Sequence, residues 1–208
     1  MVKRILGELK EHIPFTALGA LAGILVMTIV ILSNVSPHIS HTVFHTLHPL
    51  HVFLSALVTT SMYMRYKRGK LWAAILIGWT GAISIGTLSD ALIPYLGGNL
   101  LHAQMEFHVP FVEHWWINLF ALAGVGIGYW KQTTRIPHFG HVLLSTWASL
   151  FYITAFGTAD WIPLLPFIFL ILFIAVWIPC CMSDIIYPLL FVRKEPAPTL
   201  QKRQEITG

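Results

Sequence analysis

Charged residues are scarce in this sequence. Lys, Arg, Asp and Glu make up 11% of its 208 residues, whereas soluble domains carry about a quarter. Hydrophobic residues reach 56%, and several apolar runs approach or exceed the ~20 residues that cross a hydrocarbon core. Barrel strands need only about 10 residues, so runs of this length favour helices. The composition therefore predicts an all-α polytopic membrane protein.

Three further features are rare or missing. The two cysteines, Cys180 and Cys181, are adjacent, and neighbours bridge only with strain, so we expect no structural disulfide. There is no Gly-rich phosphate loop, which argues against ATP hydrolysis. The net charge of +4 comes from connecting segments, and we expect no nucleic-acid partner. The charged stretch from Met1 to His12 and the later apolar runs argue against a cleavable signal peptide.

Hydropathy predicts six spans and a simple topology. The thirteen Lys and Arg residues fall in the N-terminus, the loops after the second and fourth spans, and the C-terminal tail. The positive-inside rule then places both termini in the cytoplasm, which suits a multi-pass protein of the plasma membrane. The last run is about 48 Å long as a helix, so we expect a break near Pro179 or Pro188. The predicted spans are Pro14–Ser33, His48–Met64, Leu71–Asp90, Val112–Trp130, His138–Phe156 and a sixth from Trp161 within the run to Val192.

One motif occurs twice in the chain. Residues His48 to Ser55 and His138 to Ser145 both read His-x-x-His-Val-x-Leu-Ser. In a helix, positions i, i+3 and i+7 share a face, so each copy directs two imidazoles and a hydroxyl the same way. Pro49 could instead begin its helix, which would make residues 38–47 a loop.

Two further matches flank the motif in the same order. His12-Ile13-Pro14-Phe15 matches His108-Val109-Pro110-Phe111, and the segment Leu88–Leu96 matches Met182–Leu190 around a Ser-Asp pair. We therefore predict a 3+3 repeat: residues 1–13 as a cytoplasmic N-terminus, 14–98 and 99–192 as the repeats, and 193–208 as a cytoplasmic tail. Because each half has an odd number of spans, the second is inverted, an arrangement typical of secondary transporters. The two motif copies are then expected at opposite faces of the membrane.

The repeat predicts two sets of three imidazoles and one carboxylate. Such donors suit zinc, iron, manganese, cobalt or nickel, with the metal as substrate or bound ion. The outer set is His48, His51, Asp90 and His108, and the inner set is His138, His141, Asp184 and His12. Accessory candidates, which include a His- and Glu-rich surface for capturing cations, are His41, His45, Ser55, Ser145, Glu106, Glu113, His114, Cys180 and Cys181.

The leading functional hypothesis is a transporter for a divalent transition-metal cation, and not an enzyme. The alternative is an intramembrane metal-dependent hydrolase or oxidase with a His3Asp site at the outer face. Bis-histidine haem ligation and a scaffold role are further alternatives. The expected partners are the lipid bilayer and the cation. Small residues at four-residue spacing allow close helix packing within the bundle or in a homo-oligomer: Gly19 and Gly23; Gly78, Ala82 and Gly86; Gly124 and Gly128.

Overall fold

A computed structural model describes residues 2–66, 70–132 and 135–191 of the chain. Within these ranges the chain is almost entirely helical. The α-helices are α1 (Val2–Leu32), α2 (Pro37–Tyr66), α3 (Leu71–Thr87), α4 (Ile93–Leu100), α5 (Pro110–Glu113), α6 (Ile117–Trp130), α7 (Arg135–Phe156), α8 (Leu165–Cys181) and α9 (Tyr187–Leu190).

Short irregular elements connect these helices. A first π-helical turn, Leu88–Leu92, joins α3 to α4, and a second, Met182–Ile186, joins α8 to α9. A two-residue antiparallel ladder pairs β1 (Gln104–Met105) with β2 (Gly157–Thr158). This ladder ties the loop before α5 to the end of α7.

Two helices begin earlier than the hydropathy pattern predicts. Helix α1 starts at Val2, so the predicted N-terminal segment is continuous with the first span. Helix α2 starts at Pro37, where the fixed φ of proline suits the first helical position. Pro49 lies inside α2, so the alternative that residues 38–47 form a loop is wrong. As a result, His41, His45 and His48 share one helix with His51.

Both halves carry a helix that passes through a π turn and a proline. We expected span three to end near Asp90, but the helix continues to Leu100. Pro94 has no N–H to donate to the carbonyl of Asp90, and the wider turn accommodates that missing bond. The second π turn precedes Pro188 in the same way, and α8 passes Pro179 without a break. Such π turns often occur at functional sites.

Helices α2 and α7 pack against each other at the centre of the bundle. Helices α3 and α6 cover α2, whereas α1 and α8 cover α7. Helix α6 approaches α2 closely because a Cβ on Gly124 would collide with the carbonyl oxygen of Phe53, and one on Gly128 would meet the carbonyl oxygen of Leu57 at 2.5 Å. The small-residue stripe of α6 therefore packs within the bundle.

Two helices of the described chain are long and apolar enough to cross a membrane, Leu71–Leu100 and Ile162–Cys180. Shorter apolar stretches lie in α1, α6 and α7. The outer faces are apolar: Leu25 is 67% exposed and Ile29 is 63% exposed. Hydroxyl side chains instead fill part of the interior, and Ser55 is fully buried. Large exposed apolar areas of this kind mark surfaces that contact lipid or protein.

Candidate metal centre

Asp90 is a fully buried carboxylate with four hydrogen-bond donors around it. Its Oδ2 accepts a hydrogen bond from Nδ1 of His48 at 2.8 Å and from Nδ1 of His51 at 2.6 Å. Its Oδ1 accepts the hydroxyl protons of Ser89 at 2.7 Å and Ser145 at 2.8 Å. An ionised carboxylate offers about four lone-pair sites, and here donors occupy all of them. These bonds offset the desolvation of the charge.

The carboxylate fixes which nitrogen of each ring is available for a ligand. Because Nδ1 of His48 and Nδ1 of His51 each donate to Asp90, each ring keeps a lone pair on Nε2. Both Nε2 atoms are buried and have no hydrogen-bond partner among the described residues. A buried ring nitrogen without a partner calls for an explanation, and an ion is one of the usual ones. Carboxylate-oriented imidazoles are typical of metal sites.

His141 reaches the same place from the second copy of the motif. Its ring lies 4.7 Å from the ring of His51, centre to centre. Potential ligand atoms of His51, His141 and Cys180 all lie within 4.8 Å of one another. Tetrahedral zinc holds its nitrogen ligands about 3.3 Å apart, so only small ring and thiol movements would close this set around an ion. We call His48, His51, Asp90, His141 and Cys180 the central cluster.

The contact between His51 and His141 corrects one prediction from the sequence. We expected the motif copies at opposite ends of the helices, but the rings touch where α2 packs on α7. The reason is the length of α2: its start at Pro37 moves His51 from the end of the helix to its middle. Asp90 lies where we expected it, because potential ligand atoms of His48, His51 and Asp90 are within 4.8 Å of one another. Its two oxygens also accept hydrogen bonds from both rings and from two serines, which is the position of an orienting group.

Hydroxyl groups join each motif copy to the other half of the chain. Ser145, in the second copy, contacts Ser89 at 3.3 Å, and Ser149 donates to the carbonyl oxygen of Ser89 at 3.0 Å. In the first copy, Ser55 contacts Ser183 at 3.1 Å, and the next hydroxyl along α2, that of Thr59, donates to the carbonyl oxygen of Ser183 at 3.3 Å. Ser55 and Ser145, two of the accessory candidates, therefore form hydrogen bonds around the cluster, and Ser145 also donates to Asp90.

His108 lies outside the central cluster, contrary to prediction. Its Nδ1 is 2.5 Å from Oε2 of Glu113, and its ring faces His45 and His114. Potential ligand atoms of His45, His108 and His114 lie within 4.8 Å of one another. Burial lowers the pKa of His108, although Glu113 acts in the opposite direction. We call His41, His45, His108, Glu113 and His114 the peripheral cluster.

The remaining predicted residues divide into two groups. Glu106 is exposed, and its backbone N–H donates to the carbonyl oxygen of Phe156 at 2.8 Å. None of the three groups of potential ligand atoms among the described residues includes it. The side chains of four others lie outside the described part of the structure, so the inner set cannot be assembled: His12, His138, Cys181 and Asp184.

Three residues outside the predicted ligand sets shape the site. Phe44 is fully buried and lies between the clusters, 5.5 Å from His48 and 6.3 Å from His108 between ring centres. Ser89 bonds to Asp90, and the Tyr152 hydroxyl accepts the backbone N–H of His108 at 3.0 Å. The Ser-Asp match between the halves contained Ser89, whereas no pattern marked the two aromatic residues.

Comparisons with known proteins returned nothing: no protein-family profile, no curated protein and no solved structure matches the chain.

Proposed function

We propose that the protein is a multi-pass membrane transporter for a divalent transition-metal cation, which binds at the central cluster. The observation that carries this proposal is the meeting of His51 from α2 and His141 from α7 at one buried place. His48 donates to the same Asp90 oxygen as His51, so Asp90 orients both of these rings. Neutral imidazoles with a positioned carboxylate form a binding site for a dehydrated cation.

Membrane embedding is supported by the two long apolar helices and by the exposed apolar faces of the bundle. In the proposed topology six segments cross the plasma membrane, and all Lys- and Arg-bearing segments, including both termini, face the cytoplasm. Buried ionisable residues in such a setting are expensive, which favours a functional role for the His and Asp residues of the central cluster.

Transport is supported by the position of the site between corresponding elements of the proposed inverted repeat. Ser145 contacts Ser89 as Ser55 contacts Ser183, so each motif copy bonds to the Ser-Asp pair of the other half. Both Ser-Asp pairs lie in π turns of long helices. Secondary transporters place their substrate between inverted repeats, on interrupted helices near the middle of the membrane. Rocking of the halves about the central cluster would then expose the ion to either side.

The donor atoms indicate the class of cation. Imidazoles and a thiol prefer zinc, cobalt, nickel or ferrous iron to magnesium or calcium, which favour oxygen ligands. Cys180 contributes to this preference, because its sulfur lies with His51 and His141. Manganese, which favours harder ligands, fits these donors less well.

A metal-dependent hydrolase or oxidase is the second candidate, and the same convergence favours it. Histidines that meet a cysteine at one buried place resemble the ligand sets of catalytic zinc sites, which keep a fourth position open to water or substrate. Because one centre suffices for an enzyme, flux has to be measured directly to separate the two functions.

The test is Zn²⁺ uptake into proteoliposomes that contain an entrapped zinc-sensitive dye. We expect uptake by the wild type and by His38→Ala, since His38 is exposed near the start of α2 and belongs to neither cluster. His51→Ala and His141→Ala should each abolish it. Zinc binding without uptake in any orientation or gradient would reject transport and favour the enzyme. Uptake that survives both substitutions would reject the central cluster as the transport site.

A further inference from the structure

The peripheral cluster has the same chemical organisation as the central one. Glu113 lies 2.5 Å from Nδ1 of His108, so an N–H donated there leaves the Nε2 lone pair available. That Nε2 atom is buried and has no partner among the described residues. The rings of His45 and His114 are 4.4 Å apart, and His45 lies 5.0 Å from His108, centre to centre. Three imidazoles therefore converge next to an orienting carboxylate.

A fourth histidine completes the hydrogen bonding of the group. Nε2 of His41 and Nε2 of His45 are 3.1 Å apart, so one ring donates to the other. When His45 is the donor, its Nδ1 keeps a lone pair, and this buried atom also has no partner among the described residues. His41 would then orient His45 as Glu113 orients His108.

Hydrogen bonds to the backbone and a stacked aromatic ring hold the peripheral cluster in place. The Tyr152 hydroxyl accepts the N–H of His108 at 3.0 Å, and the ring of Phe156 stacks on the imidazole at 4.6 Å. The second carboxylate oxygen of Glu113 accepts the N–H of Val109 at 3.2 Å. A loop fixed at these points presents its side chains in a defined geometry, as a metal site requires.

We propose that the peripheral cluster is a second metal site, which binds a borderline divalent cation such as Zn²⁺ or Co²⁺ through His45, His108 and His114. Phe44 separates it from the central cluster by a fully buried ring. The two sites are therefore distinct, and this one does not depend on the proposed transport function. It lacks sulfur among its donors, whereas the central cluster contains Cys180.

The test is a Co²⁺ titration of the full chain in detergent, with the central cluster disabled by His51→Ala and His141→Ala. We expect about one bound Co²⁺ per chain, with visible absorption of a nitrogen-ligated ion and no thiolate charge-transfer band. His114→Gln should weaken binding by more than the roughly 10- to 100-fold typical of losing a group that only orients a ligand. Glu113→Gln should fall within that range. His38→Gln, an exposed histidine outside the group, should bind as the parent does.

Two results would overturn the second site. One is that the folded His51→Ala/His141→Ala protein, the parent of these variants, binds no Co²⁺. The other is that the His114→Gln and His38→Gln variants bind Co²⁺ with equal affinity. If the parent does not fold, the His114→Gln and His38→Gln substitutions are tested singly in the chain that keeps His51 and His141. His114→Gln should then lose one ion and keep the thiolate band, and loss of the band with retention of the nitrogen-ligated ion would overturn the proposal. All readouts are of binding, so a failed flux assay leaves them unaffected.

Discussion

At the scale of single residues, the decisive feature is the hydrogen bonding around Asp90, which separates orienting groups from potential ligands. The carboxylate accepts hydrogen bonds from His48 and His51, while Ser89 and Ser145 occupy its other oxygen. The lone pairs of the two rings are thereby turned away from the carboxylate. In the proposed site, Asp90 supplies charge and orientation, and the imidazoles supply the ligand atoms.

Replacing Asp90 by Asn tests whether Asp90 orients the imidazoles or binds the ion itself. The variant keeps the shape of the side chain but loses the charge and presents an amide N–H₂ where an acceptor is needed. We expect the affinity for Zn²⁺ to fall about 10- to 100-fold, with the number of bound ions unchanged at saturation. Isothermal titration in detergent measures both quantities. Asp160→Asn is the matched control, because Asp160 is an exposed residue in a loop. Complete loss of the ion would instead make Asp90 a ligand, and an unchanged affinity would remove it from the site.

The residues of the candidate site could be predicted from the sequence better than the roles that we propose for them. Repetition of the His-x-x-His motif and of the Ser-Asp pair picked out His48, His51, Asp90 and His141, since unusual polar residues in apolar runs stand out. Their assignment as ligand or orienting group depends on which ring nitrogen faces which oxygen. That detail follows from side-chain geometry across three helices, which sequence spacing does not contain.

At the scale of elements, proline explains the largest errors in the predicted boundaries. We took Pro94 as part of a connection and weighed Pro49 as a helix start, because proline usually ends or begins a helix. In the structure both lie within helical segments. A π turn absorbs the missing hydrogen bond before Pro94, and neighbouring helices pack around it. Tertiary packing therefore overrides the local signal at these points.

The close approach of α6 to α2 gives a prediction at this scale. Gly124→Ala places a methyl group against the carbonyl oxygen of Phe53, so one of the two helices must shift. Overpacking of this kind costs about 1–3 kcal/mol. Gly126→Ala, two residues along the same helix, is the control because a Cβ there meets nothing within 4 Å.

Reversible unfolding in mixed micelles, followed by helical circular dichroism, measures the two free energies of unfolding. The Gly124→Ala variant should be the less stable by that amount. Equal stabilities of the two variants would show that α6 does not pack on α2 through Gly124.

At the scale of the whole molecule, α2 and α7 bring the two motif copies into one centre. The sequence predicted two similar sets of residues, but it predicted them at separate faces. The difference arises from a single boundary: α2 runs for 30 residues from Pro37, and its middle rather than its end carries His51. Hydropathy could not find that start, because the first turns of α2 contain polar and histidine residues that resemble a connection.

The same centre accounts for the interior hydroxyl groups. Ser55, Thr59, Ser145 and Ser149 face the π turns of the opposite half and supply the hydrogen bonds that those turns require. A bundle with apolar faces outside and such polar groups inside is suited to bind an ion away from both water and lipid. The bound ion would then be held jointly by the two halves.

The most direct measurement of this claim is the zinc content of three purified proteins by elemental analysis. All three carry His114→Gln, so that the peripheral cluster does not contribute; the second also carries His51→Ala and the third His141→Ala. We predict about one zinc per chain in the first protein and none in either of the others, because one ion needs a histidine from each motif copy. A zinc that survives either substitution, or two ions in the first protein with one lost in each variant, would mean that the motif copies bind separately and would contradict a shared centre.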